Sequence, residues 1–244
     1  MLRRQSSAIG WLGLAAALAV LGIAAIARGA VLADYPDFAD VSELKLNGDA
    51  EQSGNVLRLT TADLGETGTA YTKKAVLNKK KSFKTEFSFS MHDTTTAPGD
   101  GLAFLIHSSG KGVIGDGGGG LGFGSIGDSV AVEFDTFDNG GADEDANEVA
   151  ILVNGKAGKS RDASIPAFTL YGAPRWAWIT YKAKSQQMKV YVSDTSTKPG
   201  SPEVQARVKL DKVLNHGSKK RAGFTAATGG ANAVHDVLSW TLTQ

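Results

Sequence analysis

After the first thirty-odd residues, apolar and polar side chains alternate with a period of two in short runs broken by Gly, Asn and Asp. Residues 56–60, 82–89, 101–106, 130–135, 149–153, 176–181, 188–192, 222–226 and 238–242 all carry this signature, which predicts β-strands. No later window sustains the 3.6-residue period of an amphipathic helix. Many short strands at close spacing predict an all-β sandwich or barrel. Neither a domain boundary nor an internal repeat interrupts residues 34–244, so they read as one domain.

The start of the chain follows a different rule. Ala8 to Ala27 is an unbroken run of apolar and small residues, preceded by Arg3 and Arg4 and followed by Val31-Leu32-Ala33 with small residues at spacing two. That layout predicts a signal peptide over residues 1–33, cleaved after Ala33. The alternative is an uncleaved transmembrane anchor, since twenty helical residues span about 30 Å. Both place residues 34–244 secreted or otherwise extracytoplasmic, membrane-bound only if the segment is retained.

Charge and composition narrow the function. The chain has 244 residues with 26 Lys and Arg against 25 Asp and Glu, and its first 33 residues hold three cations and no acid. The near-neutral remainder lacks the clustered cationic surplus that nucleic-acid binding needs. With no cysteine, disulfides, thiolate metal sites and thiol nucleophiles are excluded.

Two segments depart from strand patterning. Gly115-Asp116-Gly117-Gly118-Gly119-Gly120-Leu121-Gly122 can bring backbone close to a ligand, though no lysine and hydroxyl follow it to make a phosphate loop. Glycine-rich surface loop is the plain reading. In Glu133–Glu148, Glu133 and Asp135 leave one strand face beside a loop carrying Asp138, Asn139, Asp143, Glu144, Asp145 and Glu148. Repulsion among that many carboxylates is relieved by a hard cation with oxygen ligands, and Ca²⁺ suits irregular loops.

These stretches resemble the L-type, legume-like lectins. The resemblance rests on seven motifs in family order: residues 44–50 (LKLNGDA), 55–60 (NVLRLT), 68–71 (GTAY), 83–89 (FKTEFSF), 99–104 (GDGLAF), 130–137 (VAVEFDTF), and 222–229 (AGFTAATG) with 235–240 (HDVLSW). It implies a concanavalin A-like jelly-roll sandwich of a flat sheet, a curved sheet and a small top sheet. It also implies a calcium-dependent, non-catalytic carbohydrate-binding lectin, whose partners are glycans or glycoproteins and which can form a homo-oligomer.

Carried over by position, the resemblance assigns sugar contacts to Asp100, Gly119, Asn139 and Phe137, with Gly230 and Ala231 in the loop that tunes specificity. It assigns Ca²⁺ to Asp135, the Phe137 carbonyl, Asn139 and Asp143, and a second, Mn²⁺-type ion to Glu133 with Asp135 and Asp143. Glu148 stands where plant members place an imidazole, which disfavours that second ion. Asp145 is an alternative to Asp143, and Asp162 a secondary candidate.

A glycosidase of the laminarinase type is the rival class, because Glu133, Asp135 and Asp138 are similar in spacing to its catalytic row. A calcium-stabilised adhesion module without sugar binding is the other. Trp176, Trp178 and Trp240 are expected in the core, and Lys73, Lys74 and Lys79–Lys81 along a solvated edge strand. His235 is expected as a structural hydrogen-bonder.

Overall fold

The structure, a computed structural model, describes residues 29–140, 145–216 and 220–244. The apolar run 8–27 and the acidic-loop residues 141–144, among them Asp143 and Glu144, lie outside the described residues.

Fifteen strands account for nearly all regular structure there: β1 (Val31–Tyr35), β2 (Leu44–Gly48), β3 (Glu51–Ser53), β4 (Val56–Thr60), β5 (Thr67–Thr72), β6 (Phe83–His92), β7 (Gly101–His107), β8 (Ser129–Asp135), β9 (Glu148–Val153), β10 (Asp162–Ser164), β11 (Arg175–Lys182), β12 (Gln187–Ser193), β13 (Val204–Arg207), β14 (Arg221–Ala227) and β15 (Val234–Thr243). A one-turn helix, Leu210–Val213, precedes β14. One sheet runs β13-β12-β11-β6-β15-β4-β3, with β1 also pairing along β15; the other runs β10-β9-β8-β7-β14-β5-β2. All described pairings are antiparallel. The all-β jelly-roll sandwich is therefore observed, while no third, top sheet forms among the described residues.

Alternate residues from the two sheets fill the space between them. Phe87, Phe89, Phe104, Phe134, Phe224 and Trp240 are each at most 2% exposed. Their rings meet at angles as well as in stacks: Phe224 lies edge-on to Trp240 at 5.1 Å and to Phe87 at 5.0 Å. Such contacts add to the area that these rings remove from water. The indole N–H of Trp240 donates to Thr85 Oγ1 at 2.9 Å, so its polar atom is satisfied inside the core.

The seven-stranded sheet is covered on its other side too. Ala131, Leu105, Leu152 and Tyr71 point away from the sandwich core and pack with Leu121, Phe123 and Ile126 of the glycine-rich segment. This second cover explains why β7, β8 and β9 are buried at every position, on both faces of the sheet.

Two expectations are corrected. In β11, Ala177, Ile179 and Tyr181 take the core side, so Trp176 and Trp178 stand half-buried on the outer face. The lysines at 73–74 and 79–81 lie in the connection between β5 and β6, not on an edge strand; Lys79 Nζ donates to the Asp211 and Leu214 carbonyls, both at 3.1 Å, at the end of the short helix. Trp240 is core as expected. The expected cut after Ala33 falls inside β1, whose preceding residue exchanges backbone bonds with the last: Ala30 N–H to Gln244 O at 2.8 Å and Gln244 N–H to Ala30 O at 2.9 Å.

Candidate functional site

Four loops at one end of the seven-stranded sheet carry the expected ligand residues. Asp100 directly precedes β7, is 3% exposed, and donates its N–H to the Ala227 carbonyl at 3.0 Å. Its carbonyl accepts from the N–H and hydroxyl of Thr136, at 2.9 and 3.0 Å, which pins it beside the end of β8. The Gly99–Asp100 peptide bond is cis.

The glycine-rich segment is a closed, ordered turn. The backbone N–H groups of Gly115, Asp116 and Gly122 donate to the carbonyls of Gly122, Gly124 and Asp116, each at 2.9 Å, and the Ser125 hydroxyl donates to Asp116. Leu121 and Phe123, both fully buried, anchor it on the sheet, so it is not the loose surface loop of the plain sequence reading. A short 3₁₀ turn, Gly118–Gly120, then presents Gly119 to Asn139.

How closely these loops meet is measured by the room left beside their glycines. A β-carbon on Gly119 would lie 2.7 Å from both Nδ2 and Oδ1 of Asn139. One on Gly99 would lie 2.6 Å from Ala231 Cβ and 3.2 Å from Phe137 Cβ, and one on Gly229 would lie 3.0 Å from Asp100 Oδ2. Asp100, Gly119, Phe137, Asn139 and Ala231 are thus brought together. Gly230 is exposed, and a β-carbon there would meet open space. Phe137 is half-buried against Gly99 rather than a core phenylalanine. Sequence reasoning missed Gly99, Gly118 and Gly229 as walls of this site; only their places inside the quoted motifs hinted at them.

Beneath the loops lies the acidic group. Glu133, Asp135 and Glu148 share the outer face of the sheet, Asp135 directly opposite Glu148 across β8 and β9, and each is 3–4% exposed. Like charges directly opposite are unfavourable on a sheet unless something compensates them. Asp135 Oδ1 accepts the Phe137 N–H at 2.7 Å, and Asn139 Nδ2 donates to the Phe137 carbonyl at 3.2 Å. Among the described residues, no three His, Cys, Asp or Glu side chains close into a metal-sized cluster; Asp143 is outside them. Asp162, the secondary candidate, accepts the Gln205 N–H at 2.8 Å, a bond that ties β10 to β13. Asp145 is exposed.

The carboxylate row of a glycosidase does not form. β8 ends at Asp135, and Asp138 is exposed in the following loop, accepting the Gly140 N–H at 2.6 Å. The buried histidines stand apart from the site. His235 Nδ1 lies 2.6 Å from the Thr60 hydroxyl, as expected of a structural hydrogen-bonder, and His107 packs on Tyr71 with ring centroids 4.3 Å apart. A cavity of about 910 Å³ lined by Gly29, Phe83, Tyr181 and Tyr191 belongs to the other sheet and shares no residue with these loops.

The profile of the legume lectin domain matches residues 33–244. The chain belongs to the legume lectin family. Agglutinin-2 of Cladrastis kentukea is 32% identical to this lectin-family chain over 83% of the chain and 76% of its own length. The L-type lectin-domain containing receptor kinase VIII.2 of Arabidopsis thaliana is also 32% identical over 84% of the chain, but the chain spans only 31% of that protein. Among solved structures, a Bauhinia forficata lectin in complex with GalNAc superposes with a TM-score of 0.76 at 24% identity, covering 88% of this chain and 98% of its own. Basic winged bean lectin with Tn-antigen gives 0.68 at 29% identity, over 82% and 91%.

Proposed function

We propose that this chain is an exported, calcium-dependent carbohydrate-binding lectin without catalytic activity. One observation carries the reading: in a chain of the legume lectin family, Gly119 abuts Asn139 while Asp100 faces Gly229, which in turn abuts Gly118, so three separate loops bring Asp100, Gly119 and Asn139 to one place. The chemistry suits a polyol. An ionised Asp100 only accepts hydrogen bonds, so it engages adjacent sugar hydroxyls as donors. Gly119 leaves its N–H approachable, and the Asn139 amide offers a further donor beside it. The half-buried Phe137 ring supplies an apolar floor for the less polar face of a pyranose.

The acidic group supports the calcium part of the reading. Asp135, the Phe137 carbonyl, Asn139 and Asp143 offer the hard oxygen donors that Ca²⁺ prefers, and the ion would offset the repulsion among the buried carboxylates and stiffen the loop bearing Asn139. Glu133 and Glu148 extend the set with further carboxylate oxygens, donors that suit hard cations, Mg²⁺, Ca²⁺ and Mn²⁺ alike. Asn139 would hold the ion through Oδ1 and offer its amide nitrogen to the sugar.

Affinity for one monosaccharide is expected to be weak, because few hydrogen bonds form in a shallow, hydrated site; several sites acting together would strengthen it. Export rests on the leader-like residues 1–33. A glycan array run in calcium and again in chelator tests the whole reading. Retention of defined glycans in calcium only is the expected result; no retention, with Ca²⁺ still raising the melting temperature, would favour the adhesion module instead.

A further inference from the structure

We infer that Asn232 is a positioning residue for sugar recognition, holding the segment that carries Gly99 and Asp100 against the loop that carries Gly229 and Ala231. The inference rests on the sugar-binding reading above and names the part that sets the width of that site.

Asn232 is 1% exposed and lies in the short connection between β14 and β15. Its side chain grips a residue 137 positions earlier: Nδ2 donates to Thr95 Oγ1 at 2.7 Å, and Oδ1 accepts the Thr95 N–H at 2.9 Å. Its backbone N–H donates to the Ala97 carbonyl at 3.1 Å. The Thr94 hydroxyl, with one proton to give, lies 3.0 Å from Asn232 Oδ1 and 2.9 Å from the Ala97 carbonyl. The Thr94 N–H donates to the Tyr171 hydroxyl at 3.1 Å, which steadies the segment from the other side. One residue thus ties down residues 94–97, its side chain holding Thr94 and Thr95 and its backbone holding Ala97, immediately before the Gly99–Asp100 pair.

The two walls so joined meet closely. Gly99 faces Ala231, the neighbour of Asn232, with no room for a β-carbon, and Asp100 faces Gly229. Neither Asn232 nor Thr95 is among the expected sugar or metal ligands. Binding constellations need their groups held to about 0.5 Å, so releasing the tie should loosen sugar binding while leaving the metal donors of the β8 loop in place.

The test uses the full chain in saturating calcium. Affinity is measured for conjugates of mannose, galactose, N-acetylgalactosamine and fucose, alongside calcium affinity by calorimetry and thermal melting. Asn232→Ala and the isosteric Thr95→Val, at an exposed position, should each lower affinity for whichever conjugate binds by tenfold or more, with calcium affinity within twofold of wild type. Thr95→Ser, which keeps the hydroxyl, should stay within twofold for the sugar. Variants that bind sugar like wild type, or that lose calcium affinity and melting temperature in step with sugar affinity, overturn the inference alone. A wild type that binds none of the conjugates removes the sugar-binding reading and this inference with it.

Discussion

Gly119 and Asn139 touch so closely that no β-carbon fits between them. The built position lies 2.7 Å from both polar atoms of the amide. Gly119→Ala should therefore push the Asn139 side chain aside, lowering glycan affinity at least tenfold with little change in melting temperature, because both residues sit at the surface of the site. Isothermal titration against a bound glycan checks this; unchanged affinity would show that Asn139 has another rotamer suited to the ligand.

Asp100 and Asn139 should separate metal from sugar. Asp100→Asn keeps the volume but removes the charge, and is expected to abolish glycan retention with calcium binding intact. Asn139→Ala should lose both. Calcium titration and glycan capture on the same preparations distinguish the two, and equal calcium loss in both variants would contradict the division of roles.

The aromatic core sets the stability. Trp240 is 1% exposed among Phe224, Phe104 and Tyr35. Trp240→Ala should cost about 3–5 kcal/mol through lost transfer energy and the cavity left behind. Thr85→Val removes both the acceptor of the indole N–H and the hydroxyl that donates to the Thr241 carbonyl at 2.7 Å, and should cost about 1–3 kcal/mol. Chemical denaturation measures both.

Two buried histidines make the fold acid-sensitive. Burial, and then the nearby Arg221 charge, push His107 down to about 4; burial, and then His92, push His235 down to about 3. The unfolded chain, with histidines near 6.5, takes up protons first, so this stability is complete above about pH 7 and falls as pH drops through 6.5 toward the folded values. By pH 5 each histidine should have withdrawn about 2 kcal/mol. Melting in chelator between pH 7 and 5 should show a shallower slope for His107→Leu than for wild type, and identical slopes would refute the assignment.

The leader and the fold make competing claims on residues 31–33. A mature chain beginning at Asp34 keeps two of the five β1 residues and loses the Ala30–Gln244 pair. A chain beginning at Gly29 should be more stable than one beginning at Asp34 by at least about 1 kcal/mol, given the net worth of backbone hydrogen bonds. Mass spectrometry of the exported protein should accordingly find an N-terminus at or before residue 30; a start at Asp34 would show that β1 is dispensable.

Much of the fold was legible in the alternation. The run at residues 56–60 coincides with β4, seven of the other eight predicted strands fall within observed ones, and the run at 82–89 starts one residue before β6. β10 and β13, three and four residues long, are too short to show a period, and pairing with neighbours defines them instead. Trp176 and Trp178 were assigned to the wrong side because β11 is apolar on both parities around them. Local pattern cannot choose a face there; the register, which pairs Tyr181 with Phe83 and Ala177 with Phe87, does.

The amino-acid order by itself determined the strands, the family motifs, the acidic loop and the types of residue that could hold sugar and calcium, because each is a property of neighbouring positions. The tertiary structure alone decided which of those residues meet. Positions 99–100, 118–119, 137–139 and 229–232 are up to 133 residues apart and share no local signal. They become one site because β7, β8 and β14 lie side by side and bring 99–100, 137–139 and 229–232 to the same end, while the β7–β8 connection leaves from the opposite end and folds back over the sheet to bring 118–119 there; van der Waals contact and the Asn232–Thr95 tie fix the spacing.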